Sequence, residues 1–312
     1  MKKVSFFLLA ASLLLAAACN KEGGQEEIVF PDPATKDVAV NIQFNKGEKL
    51  KVTLPDRSNP NDPNSVKTGV MVETDVLSID LTEGNRYVLY IGDVETKAAG
   101  SQYAAVWTGH YTYAGGRYKM DGFGELSIEN DSECLFQPVS VRAGEWTGTR
   151  LPVTVTPIKA NGTIALNLAR NWKVNSTYIK IEGGKNSISV SRNYDGCDLS
   201  KIAGDLKAKG APLSDEDVAE LSKYNLKEIT FIGNNKLVMN LQGPKSFYGN
   251  WYVSGTSFNW ELNDGNEIIA NKVSGTVSFP GKGMALLVVS AGLTAEGENY
   301  TGTVEFSLSP VS

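Results

Sequence analysis

Short runs in which apolar and polar residues alternate recur along the chain from Val38 onward. VAVNIQF, YVLYI, KLVMNL and TVEFSLS all have the two-residue period of a strand that buries one face. Residues that tolerate positive φ, mainly Gly, Asn and Asp, separate these runs and suit hairpin turns. The pattern predicts a mainly β fold made of antiparallel sandwich or barrel domains.

The breaks between the runs predict where the chain turns. The 31 glycines are spread along the sequence at these breaks instead of being pooled in one linker. We therefore expect short connections, as hairpins require, and no long Gly-rich spacer. Turns are predicted at residues 83–86, 161–162, 183–186, 233–235, 264–265 and 280–283.

One region has helical periodicity instead. Within residues 198–210 the apolar side chains recur at helical spacing, and the run ends on a glycine that suits a C-cap. Ser214 can cap a second helix, because acidic residues 215–217 follow it in the first turn, where the helix dipole favours anions. The sequence predicts two short helices inserted in the C-terminal domain.

The first residues have the composition of a secretory signal. Two lysines precede an uncharged run over residues 4–18 that is too short to cross a bilayer core of about 30 Å. The run ends on Ala16-Ala17-Ala18-Cys19, which resembles the lipobox of bacterial lipoproteins. This resemblance implies a signal peptide over residues 1–18 and a lipidated Cys19. The alternative is an ordinary signal peptide cleaved near Ala18.

A polar, acidic stretch follows the cysteine. Residues 19–36 contain too little apolar surface to offset chain entropy, so we expect a flexible tether. Acidic residues directly after a lipidated cysteine resemble the signal that exports Bacteroidetes lipoproteins to the cell surface. A merely solvated linker is the alternative. The predicted location is therefore the outer membrane, lipid-anchored, on the cell surface or the periplasmic face.

The remaining chain is predicted to form two domains, an N-terminal β domain over residues 37–143 and a second domain over residues 144–312. Gly144-Glu145-Trp146 opens the second domain, and Gly249-Asn250-Trp251 repeats its Gly-x-Trp spacing. This spacing resembles the lipocalin and calycin signature. The layout is similar to that of uncharacterised Bacteroidetes lipoproteins described as lipocalin-like, which implies a β-barrel.

Two groups of aromatic residues are candidate binding residues. The lipocalin resemblance implies an apolar interior that binds a small apolar or glycan ligand, with Trp146, Trp251, Phe258 and Trp260 in its lining. In the N-terminal domain, even spacing predicts that three aromatic residues share one face of a strand. They are either a stacking platform for sugar rings or ordinary cross-strand packing. These three residues are Trp107, Tyr111 and Tyr113.

The two cysteines beyond Cys19 leave two alternatives open. Cys134 and Cys197 form an even pair in an oxidising compartment, where a disulfide is expected to persist. A bridge between them would close a long loop and stabilise the fold by roughly 4 kcal/mol. Two buried, reduced thiols are the other interpretation.

Few residues suggest catalysis. The single histidine, His110, offers neither a metal cluster nor a base for a triad. Asp121, Glu125 and Glu129 are the carboxylates that a glycan hydrolase would need. A formal net charge of −5 without a basic cluster argues against nucleic acid as a partner. We expect a non-enzymatic binding protein without a cofactor. A structural or adhesive module that contacts proteins, including other outer-membrane proteins, is the alternative, and a small glycan hydrolase is a third.

The lipid anchor gives a direct prediction. Each buried methylene of an acyl chain contributes about 0.8 kcal/mol, so two or more chains hold a protein firmly on a membrane. Replacing Cys19 with Ala is expected to abolish incorporation of labelled palmitate and to move the chain from the membrane fraction to the soluble fraction. Cys134→Ala is the matched control and should retain both the label and the membrane fraction. A Cys19→Ala chain that stays in the membrane fraction would contradict the anchor.

Overall fold

A computed structural model describes residues 39–45, 49–54, 70–82, 84–92, 105–138, 148–184, 188–211, 213–241, 246–263, 268–281, 283–295 and 298–311. Strands account for 66% of the structure and helices for 13%, which confirms the predicted mainly β class. The chain forms two compact units, the first ending at Lys159 and the second beginning at Ala160. Each unit contains one closed antiparallel β-barrel.

The first unit contains nine strands, of which eight form the ring of the barrel. The ring closes because β1 pairs with β9 on one side and with β3 on the other, while β2 pairs with β3 outside the ring. The strands are β1 (Val40–Phe44), β2 (Lys49–Leu54), β3 (Val70–Thr82), β4 (Arg86–Gly92), β5 (Ala105–Ala114), β6 (Arg117–Met120), β7 (Gly124–Asn130), β8 (Glu133–Pro138) and β9 (Thr149–Pro157).

The second unit repeats this plan. Its first strand, β10, pairs with the last strand, β18, and with β12, while β11 pairs with β10 outside the ring. The strands are β10 (Asn171–Gly183), β11 (Ile188–Asp195), β12 (Leu226–Phe231), β13 (Lys236–Leu241), β14 (Ser246–Ser254), β15 (Ser257–Asn263), β16 (Ile268–Ser278), β17 (Ala285–Ala295) and β18 (Glu298–Pro310).

The unit boundary differs from the predicted one. The sequence placed it between residues 143 and 144, but β9 lies in the first barrel, where it pairs with both β8 and β1. Without β9 the first ring could not close. The chain therefore leaves the first barrel only after Pro157, and the second unit begins at Ala160.

The described part of the second unit includes three helices. They are α1 (Thr163–Leu168), α2 (Leu199–Ala208) and α3 (Asp215–Leu221), and a 3₁₀ turn over Ser222–Tyr224 follows α3. The two predicted helices are confirmed as α2 and α3. The predicted turn at residues 161–162 is wrong, because Gly162, at φ 90°, instead precedes the first turn of α1. With only six residues, α1 is too short for helical periodicity to stand out.

Helices α2 and α3 lie in the chain between β11 and β12, the two strands that share one edge of β10. One edge of β10 pairs with β12 over residues 171–173 and with β11 over residues 176–183. Between these two parts, the ladder on the other edge of β10, with β18, has a bulge between Val174 and Ser176. An isolated bridge joins Cys197 to Leu226. The apolar face of α2 joins the barrel core there, through Leu199, Ile202, Ala203 and Leu206.

Both helices have side-chain caps at their N-termini. The Asp198 carboxylate accepts hydrogen bonds from the backbone N–H groups of Ser200 and Lys201, at 3.1 and 3.2 Å. Ser214 and Asp217 form a reciprocal capping box at the start of α3. Burial alone would raise the pKa of Asp198, but the hydrogen bonds from Ser200 and Lys201 and the charge of Lys201 outweigh it and lower that pKa.

The cap of α2 gives a stability prediction. Asp198→Ala is expected to reduce the free energy of unfolding by about 1 kcal/mol, measured by urea denaturation. Because the pKa of Asp198 is lowered in the folded state, its contribution is complete above its ordinary value of 3.8 and is lost as the pH falls through the folded pKa. Asp195→Ala, which removes an exposed carboxylate from β11, is the control. Equal losses from the two substitutions would contradict the capping role.

Candidate functional site

Three of the four predicted lining residues of the second barrel lie in its core. Trp251 on β14 and Phe258 and Trp260 on β15 retain 1% or less of their surface exposed. Phe231 on β12 connects them, since its ring is 5.4 Å from Trp251 and 5.6 Å from Phe258, both edge-to-face. Phe258 and Trp260 are 5.1 Å apart in the same arrangement. The rings form one continuous aromatic cluster.

The burial of these rings shows what they contact. A side chain on the wall of a ligand-sized cavity would keep surface that a water molecule could reach, whereas these three keep almost none. The polar atom of Trp251 is also satisfied internally, because its indole N–H donates to the Ile232 carbonyl at 3.0 Å. The structure therefore places the three side chains within the packed core. Trp146, the fourth predicted lining residue, lies outside the described residues.

An eight-stranded ring explains this filling. A barrel of eight strands has an interior just wide enough for side chains to fill it, or to hold one small ligand. Here every strand of the second ring contributes inward residues to the core, among them Trp172, Phe231 and Phe306, each at most 1% exposed. The first barrel is filled in the same way around Leu89, Leu126 and their neighbours.

The three aromatic residues predicted on one face of β5 differ in their exposure to solvent. Trp107 is half-buried against the first core, and Tyr111 is only 3% exposed, with its hydroxyl donating to the Thr82 carbonyl at 3.0 Å. Tyr113, farther along the same face, is 60% exposed. Across the hairpin, the Tyr118 ring is 4.7 Å from Tyr113 and 5.6 Å from Tyr111. Cross-strand aromatic packing therefore exists, and one ring reaches solvent.

The hairpin of β5 and β6 extends beyond the neighbouring turn. Strand β5 pairs with β4 over residues 105–110 and with β6 over residues 111–114. The Tyr111 N–H donates to the Asn85 carbonyl in the β3–β4 turn at 2.8 Å, and all residues from Thr112 to Arg117 are exposed. We call residues 111–119 the aromatic hairpin. Its tip carries Tyr113 on β5 and Arg117 on β6, where Arg117 lies opposite Ala114.

Charged residues of both signs lie near the base of the aromatic hairpin. Partial desolvation and the positive charge of Arg86 lower the pKa of His110, although Asp121 acts in the opposite direction. The cations of this region are Arg86, which is buried, and the exposed Arg117 and Lys119. Lys119 lies opposite Glu125 on β7, so the region carries both signs of charge.

Two of the candidate carboxylates are far apart along β7. Glu125 and Glu129 are four residues apart, which separates their Cα atoms by about 13 Å, and the register shifts at Glu129. Glycoside hydrolysis needs carboxyl groups roughly 5 to 9.5 Å apart. Glu129 is moreover engaged by Arg150, at 3.2 Å, which also binds Glu133 at 2.9 Å. Asp121 lies in the turn between β6 and β7.

The two cysteines are free, buried thiols, so the disulfide alternative is not realised. Cys134 belongs to the core of the first barrel and Cys197 to the core of the second. Burial raises the pKa of Cys134 to about 12, with a further contribution from the charge of Glu133. Burial likewise raises the pKa of Cys197 to about 11. Neither thiol can act as a nucleophile near neutral pH.

Sequence reasoning did not select Tyr252, although it is 49% exposed on the outer face of β14. Its neighbours on adjacent strands are polar, and Asn259 lies directly opposite it on β15. Alternation along β14 could have identified it, because Asn250, Tyr252 and Ser254 occupy the outward positions between core residues.

Within the described part of the chain, no three His, Cys, Asp or Glu side chains come close enough to hold a metal ion. The helices described are also too short, or too polar, to cross a bilayer.

No family model matches this sequence, and no curated protein matches it. Several solved structures give weak matches. Transferrin binding protein B from Haemophilus parasuis is 8% identical and has a TM-score of 0.23, with 76% of this chain and 54% of that chain covered. Haemoglobin receptor HpuA from Kingella denitrificans is 13% identical, with 91% and 92% covered and a TM-score of 0.21. Its complex with human haemoglobin is 13% identical, with 92% and 93% covered and a TM-score of 0.21.

The chain spans about half the length of the transferrin-binding protein that it matches. At TM-scores of 0.21 to 0.23, these matches transfer neither a fold nor a partner to this chain.

The thiols give a labelling prediction. At pH 8 the native chain is expected to leave Cys134 and Cys197 unreacted with a chromogenic disulfide reagent, because both are buried and protonated. Unfolding in guanidinium without reductant should release two reactive thiols. None after unfolding would mean that the cysteines are bridged. Because both folded pKa values exceed the ordinary value of 9.0, the thiols' contribution to stability should fall as pH rises from about 9 towards 11 to 12.

Proposed function

We propose that this chain is a lipid-anchored, non-enzymatic binding protein of the outer membrane that contacts a partner protein through the aromatic hairpin. The observation that carries this proposal is the tip of the hairpin. There Tyr113 is 60% exposed and its ring centroid lies 4.7 Å from that of Tyr118, while Arg117 is exposed on the other strand, opposite Ala114.

The filled barrels favour an external binding surface. Because the rings of Trp251, Phe258 and Trp260 have almost no accessible surface, a ligand could reach them only if the core opened. Core packing at this density makes such opening costly. The outside of the barrels is the surface that remains for recognition.

The composition of the hairpin suits a protein partner. Tyr and Arg are enriched among the residues that dominate the energy of protein interfaces. The Tyr113 ring contacts Tyr118, which in turn contacts buried Tyr111. Contacts that lead to the core therefore restrict the motion of the exposed ring. A preorganised ring loses little conformational entropy on binding. Arg117, which is exposed at the tip of the same hairpin, suits an acidic contact on the partner.

The location follows from the sequence. The lipobox-like Ala16-Ala17-Ala18-Cys19 and the acidic residues after it support lipid anchoring in a Bacteroidetes-type outer membrane, on the cell surface or the periplasmic face. The eight-stranded ring of the second unit supports a lipocalin-like type. The separation between Glu125 and Glu129 supports a non-enzymatic role. Binding of a small apolar ligand inside the barrel would require the core to open.

Photo-crosslinking in living cells tests the proposed contact. A benzophenone amino acid at Ala114, which is exposed beside Tyr113, is expected to give one discrete protein adduct on illumination. The same amino acid at Leu166, which is 57% exposed on α1 in the other unit, is the control and should not give that adduct.

The adduct should depend on the side chains of the hairpin. Combining the Ala114 crosslinker with Tyr113→Ala or Arg117→Glu is expected to reduce its yield about tenfold, the equivalent of 1.4 kcal/mol, whereas Tyr113→Phe should retain most of it. An adduct that survives both substitutions, or that forms equally from Leu166, would contradict the proposal.

A further inference from the structure

The outer face of β14, β15 and β16 has a distinctive composition around Tyr252. Inward residues such as Trp251, Trp260 and Val273 are buried, so the alternate residues point outward. We call this outward set the polar platform. Around Tyr252 it contains amides, hydroxyls and a single carboxylate, namely Asn250, Ser254, Ser257, Asn259, Glu261, Ser274 and Thr276.

The register places three of these side chains in one row. Tyr252 lies opposite Asn259, and Asn259 lies opposite Ser274 on the next strand. Directly opposed residues in antiparallel strands have Cβ atoms about 4.5–5.5 Å apart. The Asn259 amide is therefore the immediate neighbour of the exposed Tyr252 ring, and the row spans about 10 Å, the width of two sugar rings.

A hydrogen bond fixes the orientation of the Asn259 amide. The Ser274 hydroxyl donates to the Asn259 side-chain oxygen at 2.5 Å. Because the oxygen accepts this bond, the amide keeps its two N–H hydrogens as donors. Asn259 is half-buried, which limits its rotation, while the Tyr252 ring beside it is 49% exposed. The platform thus combines an apolar ring face with an oriented donor.

The surroundings of the two exposed tyrosines differ. Tyr113 packs against a second tyrosine at the tip of a hairpin that also carries Arg117, and Tyr and Arg are enriched in protein interfaces. Tyr252 has no apolar neighbour on its face of β15 or β16 among the described residues, and the charged residues nearby are one of each sign, Glu261 on β15 and Lys236 opposite Asn250 on β13. A protein hot spot needs apolar neighbours that exclude water, and a charged ligand needs opposite charge. The platform lacks both features.

We propose that the polar platform binds a neutral oligosaccharide. The C–H face of a sugar ring would stack on Tyr252, whose amphipathic ring buries apolar surface while its hydroxyl stays in water. The sugar hydroxyls would accept from the Asn259 N–H groups and exchange hydrogen bonds with Asn250 and Ser257. This surface is separate from the aromatic hairpin, so the two proposals can fail independently.

Isothermal titration calorimetry of the full-length chain tests this site. The chain is held in a detergent without a sugar head group and titrated with maltohexaose, cellohexaose, xylohexaose and mannohexaose at about 1 mM, the range of weak sugar binding. At least one of the four is expected to bind. Tyr252→Ala should then raise its Kd about tenfold, Asn259→Ala should raise it several-fold, and Tyr252→Phe should change it little.

The controls separate the site from the fold and from the hairpin. Tyr252 is on the surface, so the thermal midpoint of Tyr252→Ala should match that of the parent chain. Tyr113→Ala should leave sugar binding unchanged. The proposal is overturned if none of the four hexasaccharides binds, or if binding survives Tyr252→Ala. It is also overturned if Tyr113→Ala, and not Tyr252→Ala, removes binding.

Discussion

Pairing between the first and last strands of each unit is the interaction on which the structure depends. In the second barrel this ladder runs from Trp172 opposite Pro310 to Gly183 opposite Tyr300. In the first barrel the shorter ladder between β1 and β9 has the same role. Closure removes the free edges of the ring and fixes which residues point inward. It also fixes the ring at eight strands, so the inward side chains fill the interior and recognition is left to the outer surface.

Local features of the fold were predictable from the sequence. The turns at residues 83–86 and 233–235 follow Gly and Asn residues, and Asn85 and Asn235 do adopt positive φ. The helix cap at Ser214 was also predictable from the sequence, because its hydrogen-bond partners lie within three residues. Closure was not predictable in the same way. The partner of β10 is β18, more than a hundred residues away, and no local pattern sets that register. The domain boundary was misplaced for this reason, since β9 belongs with β1.

In the candidate sites, too, local features were predictable from the sequence and features that depend on strand pairing were not. Even spacing correctly placed Trp107, Tyr111 and Tyr113 on one face. Of these three, Tyr113 is the exposed one, because it lies where β5 extends past β4 and pairs with β6. Aromatic residues of β14 and β15 looked like the lining of a pocket because a pocket and a core have the same apolar composition. Their burial, not their sequence, separates the two. The sequence did not identify Tyr252 as part of a site, because Asn259 and Ser274 lie on other strands and the register brings them beside it.

The central claim is that both barrels have filled interiors, so that binding occurs outside them. Fluorescence titration with N-phenyl-1-naphthylamine, an apolar probe that enters ligand-binding barrels, tests this most directly. With Trp172, Trp251 and Trp260 inside the second barrel, a bound probe would receive energy from them. The account predicts no saturable energy transfer and no rise in the thermal midpoint in the native protein. Saturable transfer at about one probe per chain, with a higher midpoint, would contradict it.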